Sequence, residues 1–145
     1  MIEIHLIKTA DDTQTARVNE LLNMLHSSPV SIDKERLNHL LKDDVFNLFV
    51  AENEEHTTIG MLTLTCCLTL GGEKAWIEDV IVDERFRGQG AGRALIRTAV
   101  RHAEDAGYSV VYLTSNPART AARSLYRSEG FEEYETGVFR CRTTR

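Results

Sequence analysis

Two spacings of apolar residues alternate along the chain and predict its strands and helices. Segments in which every second residue is apolar, such as 2–8, are typical of half-buried strands. Apolar residues three and four positions apart, such as Val18, Leu21 and Leu25, are typical of amphipathic helices. The predicted strands cover 2–8, 47–54, 57–70, 74–84 and 108–115, with a final hairpin over 131–143 that turns at Thr136 and Gly137. The predicted helices cover 11–26, 31–44, 92–107 and 116–131.

Residue types at the helix ends support these boundaries. Ser31 and Asn116 are N-cap types, and Pro117 suits the first helical position. Gly107 and Gly130 would end the two later helices. The resulting order is β-α-α-β-β-β-α-β-α-β-β, in which a strand meander is followed by a β-α-β crossover. This order predicts an α/β fold, with a mixed sheet and helices on both of its faces.

Length and composition agree with one domain over residues 1–145. The chain is 42% hydrophobic, which suits a single core. No apolar run is long enough to cross a membrane, and the N-terminus lacks the basic start and apolar segment of a signal peptide. The three cysteines are odd in number, and the adjacent Cys66 and Cys67 do not have metal-ligand spacing. We therefore expect a cytoplasmic protein without a metal or a membrane partner.

Charge is distributed unevenly along the sequence. The net charge is −5, which argues against nucleic acid as a partner because phosphate neutralisation supplies most non-specific affinity. Residues 85–127 nevertheless hold eight arginines and two acids, a balance of +6, so the remainder carries −11. This basic segment predicts an anionic ligand, and the acidic remainder favours a cationic one.

The stretch RFRGQGAGRAL, residues 85–95, places three glycines between a predicted strand and a predicted helix. A helix N-terminus reached through bare backbone is suited to binding phosphate. A Walker A loop requires Gly-Lys-Ser/Thr, whereas this chain has Gly92-Arg93-Ala94. A dinucleotide fingerprint requires glycine at position 93, and the next strand ends without the ribose-binding acid. Both nucleotide interpretations are therefore rejected.

The remaining pattern, Arg87-x-x-Gly90-x-Gly92, resembles the GNAT family of N-acetyltransferases. The preceding WIEDVIVDERF and the later NPARTAARSLYRSEGF resemble the strand and the second cofactor segment of small, single-domain bacterial-type members. The specific motifs lie within 76–131, and the element order matches over nearly the whole chain. The resemblance implies a sheet splayed after its fourth strand, with acetyl-CoA as co-substrate.

The resemblance also implies which residues contact acetyl-CoA. The loop amides would surround its pyrophosphate, the bulged fourth strand would pair with its pantetheine arm, and Asn116 would contact that arm. Arginines at four-residue spacing follow the loop, and two of them, Arg93 and Arg123, are candidates for binding the phosphates of CoA. The small residues Ala121 and Ala122 precede Tyr126 on the predicted helix and would let the cofactor pass close. The implied contacts are Val80, Ile81, Val82, Arg87, Gly88, Gln89, Gly90, Ala91, Gly92, Arg93, Asn116, Ala122, Arg123 and Tyr126.

Acetyl transfer to an amine needs a proton acceptor and a proton donor. Glu78 lies in an otherwise apolar strand, where desolvation would raise its pKa toward a useful base. The same placement resembles the glucosamine-phosphate acetyltransferase branch, where this glutamate borders the acceptor site; a water chain is the alternative base. Asp79 should face the opposite side by alternation unless a bulge intervenes. Tyr126 matches the family tyrosine near the thioester sulfur and is the candidate acid.

The predicted activity is direct acetyl transfer from acetyl-CoA to a primary amine. Direct transfer is favoured over an acetyl-cysteine because no cysteine lies in the motif segments. The expected acceptor is a small-molecule amine, and the first two helices and the last hairpin should select it. A protein N-terminal or lysine acetyltransferase and a non-catalytic acyl-CoA-binding sensor are the alternatives, and a homodimer is left open as the assembly state.

Overall fold

The structure, a computed structural model, describes residues 1–144 and divides into two compact units, one over Met1–Thr114 and the other from Ser115 onward. The first unit contains β1 (Glu3–Ile7), α1 (Asp12–Leu25), α2 (Lys34–Leu41), β2 (Phe46–Glu52), β3 (Thr58–Thr69), β4 (Gly72–Val82), a 3-10 turn (Glu84–Phe86), α3 (Ala91–Asp105) and β5 (Val111–Tyr112). The second contains α4 (Thr120–Ser128). A single domain over the whole chain stays a prediction.

A five-stranded mixed sheet organises the first unit. Its strand order follows the chain, β1-β2-β3-β4-β5. The first four strands pair antiparallel, whereas β5 runs parallel to β4 after the α3 crossover. Strand β5 pairs only at Val111 and Tyr112, much less than the predicted 108–115. The α/β class and the mixed sheet are therefore confirmed, and the length of the fifth strand was overestimated.

Helices cover both faces of this sheet, as predicted. Helices α1 and α2 pack on one face, where their leucines join Leu48, Val50 and Ile81 in a buried cluster. Helix α3 packs on the other face, where His102 meets the edge of the Phe49 ring at 5.4 Å between centroids. Phe49 lies between Leu48 and Val50 and so points away from them. Each fully buried leucine contributes about 1.5–3 kcal/mol, so all three helices are held on the sheet mainly by apolar burial.

The first two helices begin at aspartates. Asp11 Oδ1 accepts from the Gln14 backbone N–H at 2.8 Å and Gln14 Oε1 accepts from the Asp11 N–H at 3.0 Å, a complete capping box. At α2 the cap is Asp33, whose Oδ1 accepts from the Arg36 N–H at 2.8 Å. The prediction of Ser31 was wrong because Asp33 is itself a strong N-cap and stands three residues before that N–H.

Helix α4 of the second unit begins four residues later than predicted. Asn116 Oδ1 accepts from the Ala118 N–H at 2.9 Å and its carbonyl accepts from Arg119 N–H at 3.0 Å. These bonds close a turn over Pro117, and Arg119 becomes the N-cap. Asparagine suits such a turn as well as a helix cap, which explains the error. The end of the helix was correct, since Gly130 follows it with a φ of +93°.

The predicted final hairpin is not formed: no residue from 131 to 144 lies in a strand. Two of its large apolar side chains are exposed, Val138 at 78% and Phe139 at 97%. An isolated hairpin is marginal in water unless another layer covers its apolar face. Alternation in the sequence is therefore insufficient here because nothing offsets the cost of ordering the segment.

Across residues 1–144, no helix combines the length and apolar character needed to cross a bilayer.

Candidate active site

A bulge interrupts β4 where the two candidate carboxylates lie. Met61 pairs with Ile81 and Thr63 with Glu78, so Leu62 alone stands opposite Asp79 and Val80. Asp79 has a φ of +52°, in the left-handed region that aspartate tolerates better than most residues. Its Oδ2 accepts a 2.9 Å hydrogen bond from Thr63 Oγ1. Paired residues share a face, so Asp79 reaches the face of Glu78. Simple alternation does not hold here because a bulge intervenes, which is the exception that the prediction allowed.

Glu78 is placed on β4 with a perturbed acidity. Glu78 is a solvent-exposed residue, but nearby protein atoms partly bury its carboxyl and limit its solvation. This burial raises the pKa of Glu78, and the negative charge of Asp79 raises it further. A carboxylate with a raised pKa is a better proton acceptor than an ordinary glutamate.

Strand β4 leaves its neighbour β5 soon after the two begin to pair. The β4–β5 ladder consists of Ala75 with Val111 and Trp76 with Tyr112, and β4 then continues to Val82. Within the described chain, the β5 side of Val80–Val82 has no ladder partner. The side chain of Ile81 is buried in the core, so this segment offers backbone groups to a ligand. That is the role expected for Val80, Ile81 and Val82.

Asp83, which sequence reasoning missed, anchors the junction between β4 and the glycine loop. Its carboxylate is fully buried and accepts hydrogen bonds of 2.8 Å from both Arg17 and Arg85. These two arginines hold the pKa of Asp83 far below its ordinary value, with the Arg85 bond as the largest cause. The sequence signal that could have indicated this ion pair was an acid at the end of a predicted strand, two residues before an arginine.

The glycine loop turns back on itself through two left-handed residues. Gly88 has a φ of +81° and Gly90 of +88°, values that other residues adopt only with strain. Arg87 donates from Nε to the Val82 carbonyl at 3.3 Å, which ties the loop to the exposed edge of β4. Gln89 is exposed at the tip. Ala91, Gly92 and Arg93 form the first turn of α3.

The residues of this loop fit an anionic diphosphate. Gly90 is the N-cap of α3 and has no side chain to cap the helix, and no acid occupies the first turn. An ideal Cβ at either Gly88 or Gly90 would meet no atom within 4 Å, so the space beside the loop is open. Helix N-termini of this kind attract negative charge. Among residues 1–144, no group of three His, Cys, Asp or Glu side chains could hold a metal ion.

The other predicted site residues lie in the second unit. Tyr126 is 7% exposed, and burial raises the pKa of its phenol while Arg119 acts in the opposite direction. Arg123 forms an ion pair with Glu133 and donates from Nη1 to the Ser115 carbonyl at 3.4 Å. Ala122 is half-buried one turn before Tyr126, and Asn116 closes the turn described above.

Comparison with known proteins identifies this arrangement. Residues 15–131 match the family model described as acetyltransferase (GNAT) family. The chain belongs to the GNAT family. The match spans the glycine loop, the bulged strand and α4, so it covers every predicted site residue.

Named relatives agree with the GNAT assignment. Human N-acetyltransferase 8B is 38% identical over 93 residues, which are 63% of this chain and 40% of that protein. The uncharacterized N-acetyltransferase YhbS of Escherichia coli is 30% identical over 82% of this chain and 70% of its own length. The chain thus spans about two fifths of the human relatives it matches.

Solved GNAT structures extend the likeness to the whole chain. An aminoglycoside acetyltransferase from an uncultured soil metagenomic sample is similar, with a TM-score of 0.82 and 25% identity, over 99% of this chain and 97% of that one. A putative acetyltransferase from Agrobacterium tumefaciens gives a TM-score of 0.79 and 26% identity over 96% and 99%. The five-strand mixed sheet is common to this GNAT fold.

Proposed function

We propose that this chain transfers an acetyl group from acetyl-CoA directly to a primary amine. The observation that carries the proposal is the continuity of β4 with the glycine loop. A bulge holds Glu78 on one face, the strand edge beyond it is unpaired, and the chain then enters an anion-binding loop. A proton acceptor, a backbone edge and a diphosphate site therefore follow one another within fifteen residues, from Glu78 to Gly92.

The glycine loop, with Arg93 and Arg123, would hold the cofactor. Backbone N–H groups from Arg87 to Arg93 would bind its pyrophosphate, as expected of a helix N-terminus without a side-chain cap. The N–H and C=O groups of Val80–Val82 would hydrogen-bond the pantetheine arm. In the second unit, Asn116, Ala122 and Arg123 are the proposed contacts. Bound acetyl-CoA would supply the acetyl thioester from which the acetyl group is transferred.

Two side chains would move the protons. Glu78 would accept a proton from the acceptor ammonium on a carboxylate oxygen, which leaves a neutral, nucleophilic amine. The amine would then form a bond to the acetyl carbon, and Tyr126 would donate its phenolic proton to the sulfur as the carbon–sulfur bond breaks. The proton that the nitrogen loses on becoming an amide would return the Tyr126 phenolate to the phenol. Burial raises the pKa of Tyr126, so the phenol stays protonated at neutral pH and can act as this donor.

The proposed acceptor is a small-molecule amine. The structural relative named as an aminoglycoside acetyltransferase, at 25% identity, supports an acceptor of this class. The charge of this chain also supports it, because the net charge of −5 favours association with a cation. Amino sugars and polyamines are therefore the first compounds to try.

The experiment is thiol release from acetyl-CoA across a panel of amines. The panel should contain aminoglycosides, amino sugars, polyamines, peptides with free N-termini and peptides with lysine, each compared with a reaction without amine. Thiol release with a small amine, and an acetylated product by mass spectrometry, would support the proposal. Activity on peptides alone would replace it with a protein acetyltransferase. Binding of acetyl-CoA without acetylation of any amine would replace it with a sensor.

A further inference from the structure

The bulge in β4 decides which face of the sheet Glu78 occupies. Ile81 lies in the core beneath α1 and α2, three residues after Glu78. In a regular strand, residues three apart point to opposite faces. The bulge adds one residue between Glu78 and Ile81, so their side chains lie on the same face of the sheet. Glu78 pairs there with Thr63, and Ile81 pairs with Met61. Without the bulge, Glu78 would face α3.

One hydrogen bond links this bulge to the neighbouring strand. Thr63 Oγ1 donates to Asp79 Oδ2 at 2.9 Å, and Thr63 is 4% exposed. The bond joins the strained residue of the bulge to the residue that pairs with Glu78. A left-handed φ at a non-glycine residue costs about 1–2 kcal/mol. The hydrogen bond from Thr63 therefore helps to hold Asp79 in this conformation.

We propose that Asp79 and Thr63 are positioning residues for the acetyl transfer proposed above: their hydrogen bond holds the bulge that aims Glu78 at the acceptor. The inference rests on that proposed function. It assigns Asp79 no contact with substrate. The same bond would also hold the start of the unpaired edge at Val80, so a loose bulge would disturb proton transfer and cofactor placement together.

The charges around Glu78 make this arrangement measurable. Asp79 raises the pKa of Glu78 by its negative charge, in addition to the effect of burial. Strand β3 contributes uncharged threonines on this face, and β5 contributes no charged residue. On α1, Arg17 and Glu20 form an ion pair, and the α3 arginines lie across the sheet. Asp79 is therefore the charged neighbour whose removal should lower the pKa of Glu78.

The first test follows the Glu78 carboxyl by carbon-13 NMR during a pH titration of the free protein, with Glu78→Gln for assignment. Asp79→Asn and Asp79→Gly should lower the titration midpoint of Glu78, and Thr63→Val should lower it because Asp79 is released. Thr63→Ser retains the hydroxyl and should keep the native midpoint. Thr65→Val, on the same face of β3, is the matched control and should also keep it. An unchanged midpoint in both Asp79 variants would overturn the inference.

The second test measures turnover with an active amine. Asp79→Ala and Thr63→Val, which each remove the hydrogen bond, should lower kcat about tenfold or more, since small misplacement of a reacting group is costly. Thr63→Ser, and Asp79→Asn, whose amide oxygen can still accept from Thr63, should keep kcat near the native value. The acid limb of the pH profile should move with the NMR midpoint. Native kcat in both Asp79→Ala and Thr63→Val would show that the positioning role is wrong. If the midpoints move as expected but the native protein acetylates no amine, the bulge arrangement is supported and the acetyl-transfer proposal fails.

Discussion

Arg17 of α1 donates from Nη2 to Oδ2 of Asp83 at 2.8 Å, across 66 positions of sequence. Its Nε also donates to the Thr58 carbonyl at 2.8 Å. Asp83 in turn accepts from Arg85, at the entrance to the glycine loop. The first helix, the end of β4 and the start of the loop are therefore joined through one buried carboxylate. Its removal should loosen the loop and destabilise the fold.

Asp83→Asn should lower the free energy of unfolding at pH 7 by about 2–3 kcal/mol, because it removes the charge from a buried, hydrogen-bonded ion pair. The arginines hold the pKa of Asp83 below its unfolded value of about 3.9. Its stabilising contribution is therefore complete above that pH and is lost as the pH falls through the acid range. Urea unfolding should show a constant difference between the native and variant stabilities from pH 7 down to about pH 4, and a difference that narrows as the pH falls further.

Glu20→Gln is the matched control for this prediction. It removes the other ion pair of Arg17, in which the Glu20 side chain is 61% exposed. Exposed pairs contribute about 1 kcal/mol or less, so the variant should unfold close to the native protein. Equal losses in Glu20→Gln and Asp83→Asn would show that the buried carboxylate has no special role.

Local sequence patterns predicted the helices, strands and loop that depend on residues close together in the sequence. The periodicities located β1 to β4 and α1 to α3 to within about three residues, and the arginine-glycine spacing located the loop. The Arg17–Asp83 bond escaped prediction because its partners are far apart in sequence. The resemblance implies a bulged fourth strand, but IEDVIV carries no local sign of which residue is the extra one, so the position of the bulge at Asp79 escaped prediction. The final hairpin failed because strand formation depends on a partner that alternation does not specify.

Gly90→Val should weaken acetyl-CoA binding about tenfold or more, since displacement of the loop amides would cost charge-assisted hydrogen bonds. At a φ of +88°, valine would be strained even though its Cβ would meet no atom within 4 Å. Calorimetric titration with acetyl-CoA measures the effect. Gly72→Val is the matched control, because Gly72 has a φ of +134° and equal space but is the first residue of β4, next to the β3–β4 turn and outside the glycine loop. Native affinity in Gly90→Val would show that the pyrophosphate of acetyl-CoA does not bind at this loop.

Glu78→Gln should lower kcat by about 10²-fold or more with an active amine, because the amide cannot accept the ammonium proton. In the native protein, activity should rise with pH as Glu78 ionises. The midpoint of that rise should lie above the ordinary glutamate pKa, since burial and Asp79 raise the pKa of Glu78. The exposed Glu73 of the same strand supplies the control variant Glu73→Gln, which should keep native kcat. Full activity in Glu78→Gln would favour a water chain as the base.

Tyr126→Phe should lower kcat by about 10²-fold with little change in acetyl-CoA affinity, because it removes the proton donor and keeps the ring. The ring lies 6.1 Å from that of Phe131, between centroids, and this contact should survive the substitution. Burial raises the pKa of Tyr126, so loss of activity through its ionisation should begin only at alkaline pH above the ordinary tyrosine value.

Single-turnover measurement of thiol release separates this proton-donor role of Tyr126 from a packing role. The control is Tyr134→Phe, since Tyr134 is 70% exposed and should be indifferent to the change. If Tyr126 acts as the acid, the loss in Tyr126→Phe should be smaller with an acyl thioester whose thiol leaves more readily, because such a group needs less protonation. A loss that is the same for both thioesters, or a matching loss of thermal stability, would assign Tyr126 to packing instead.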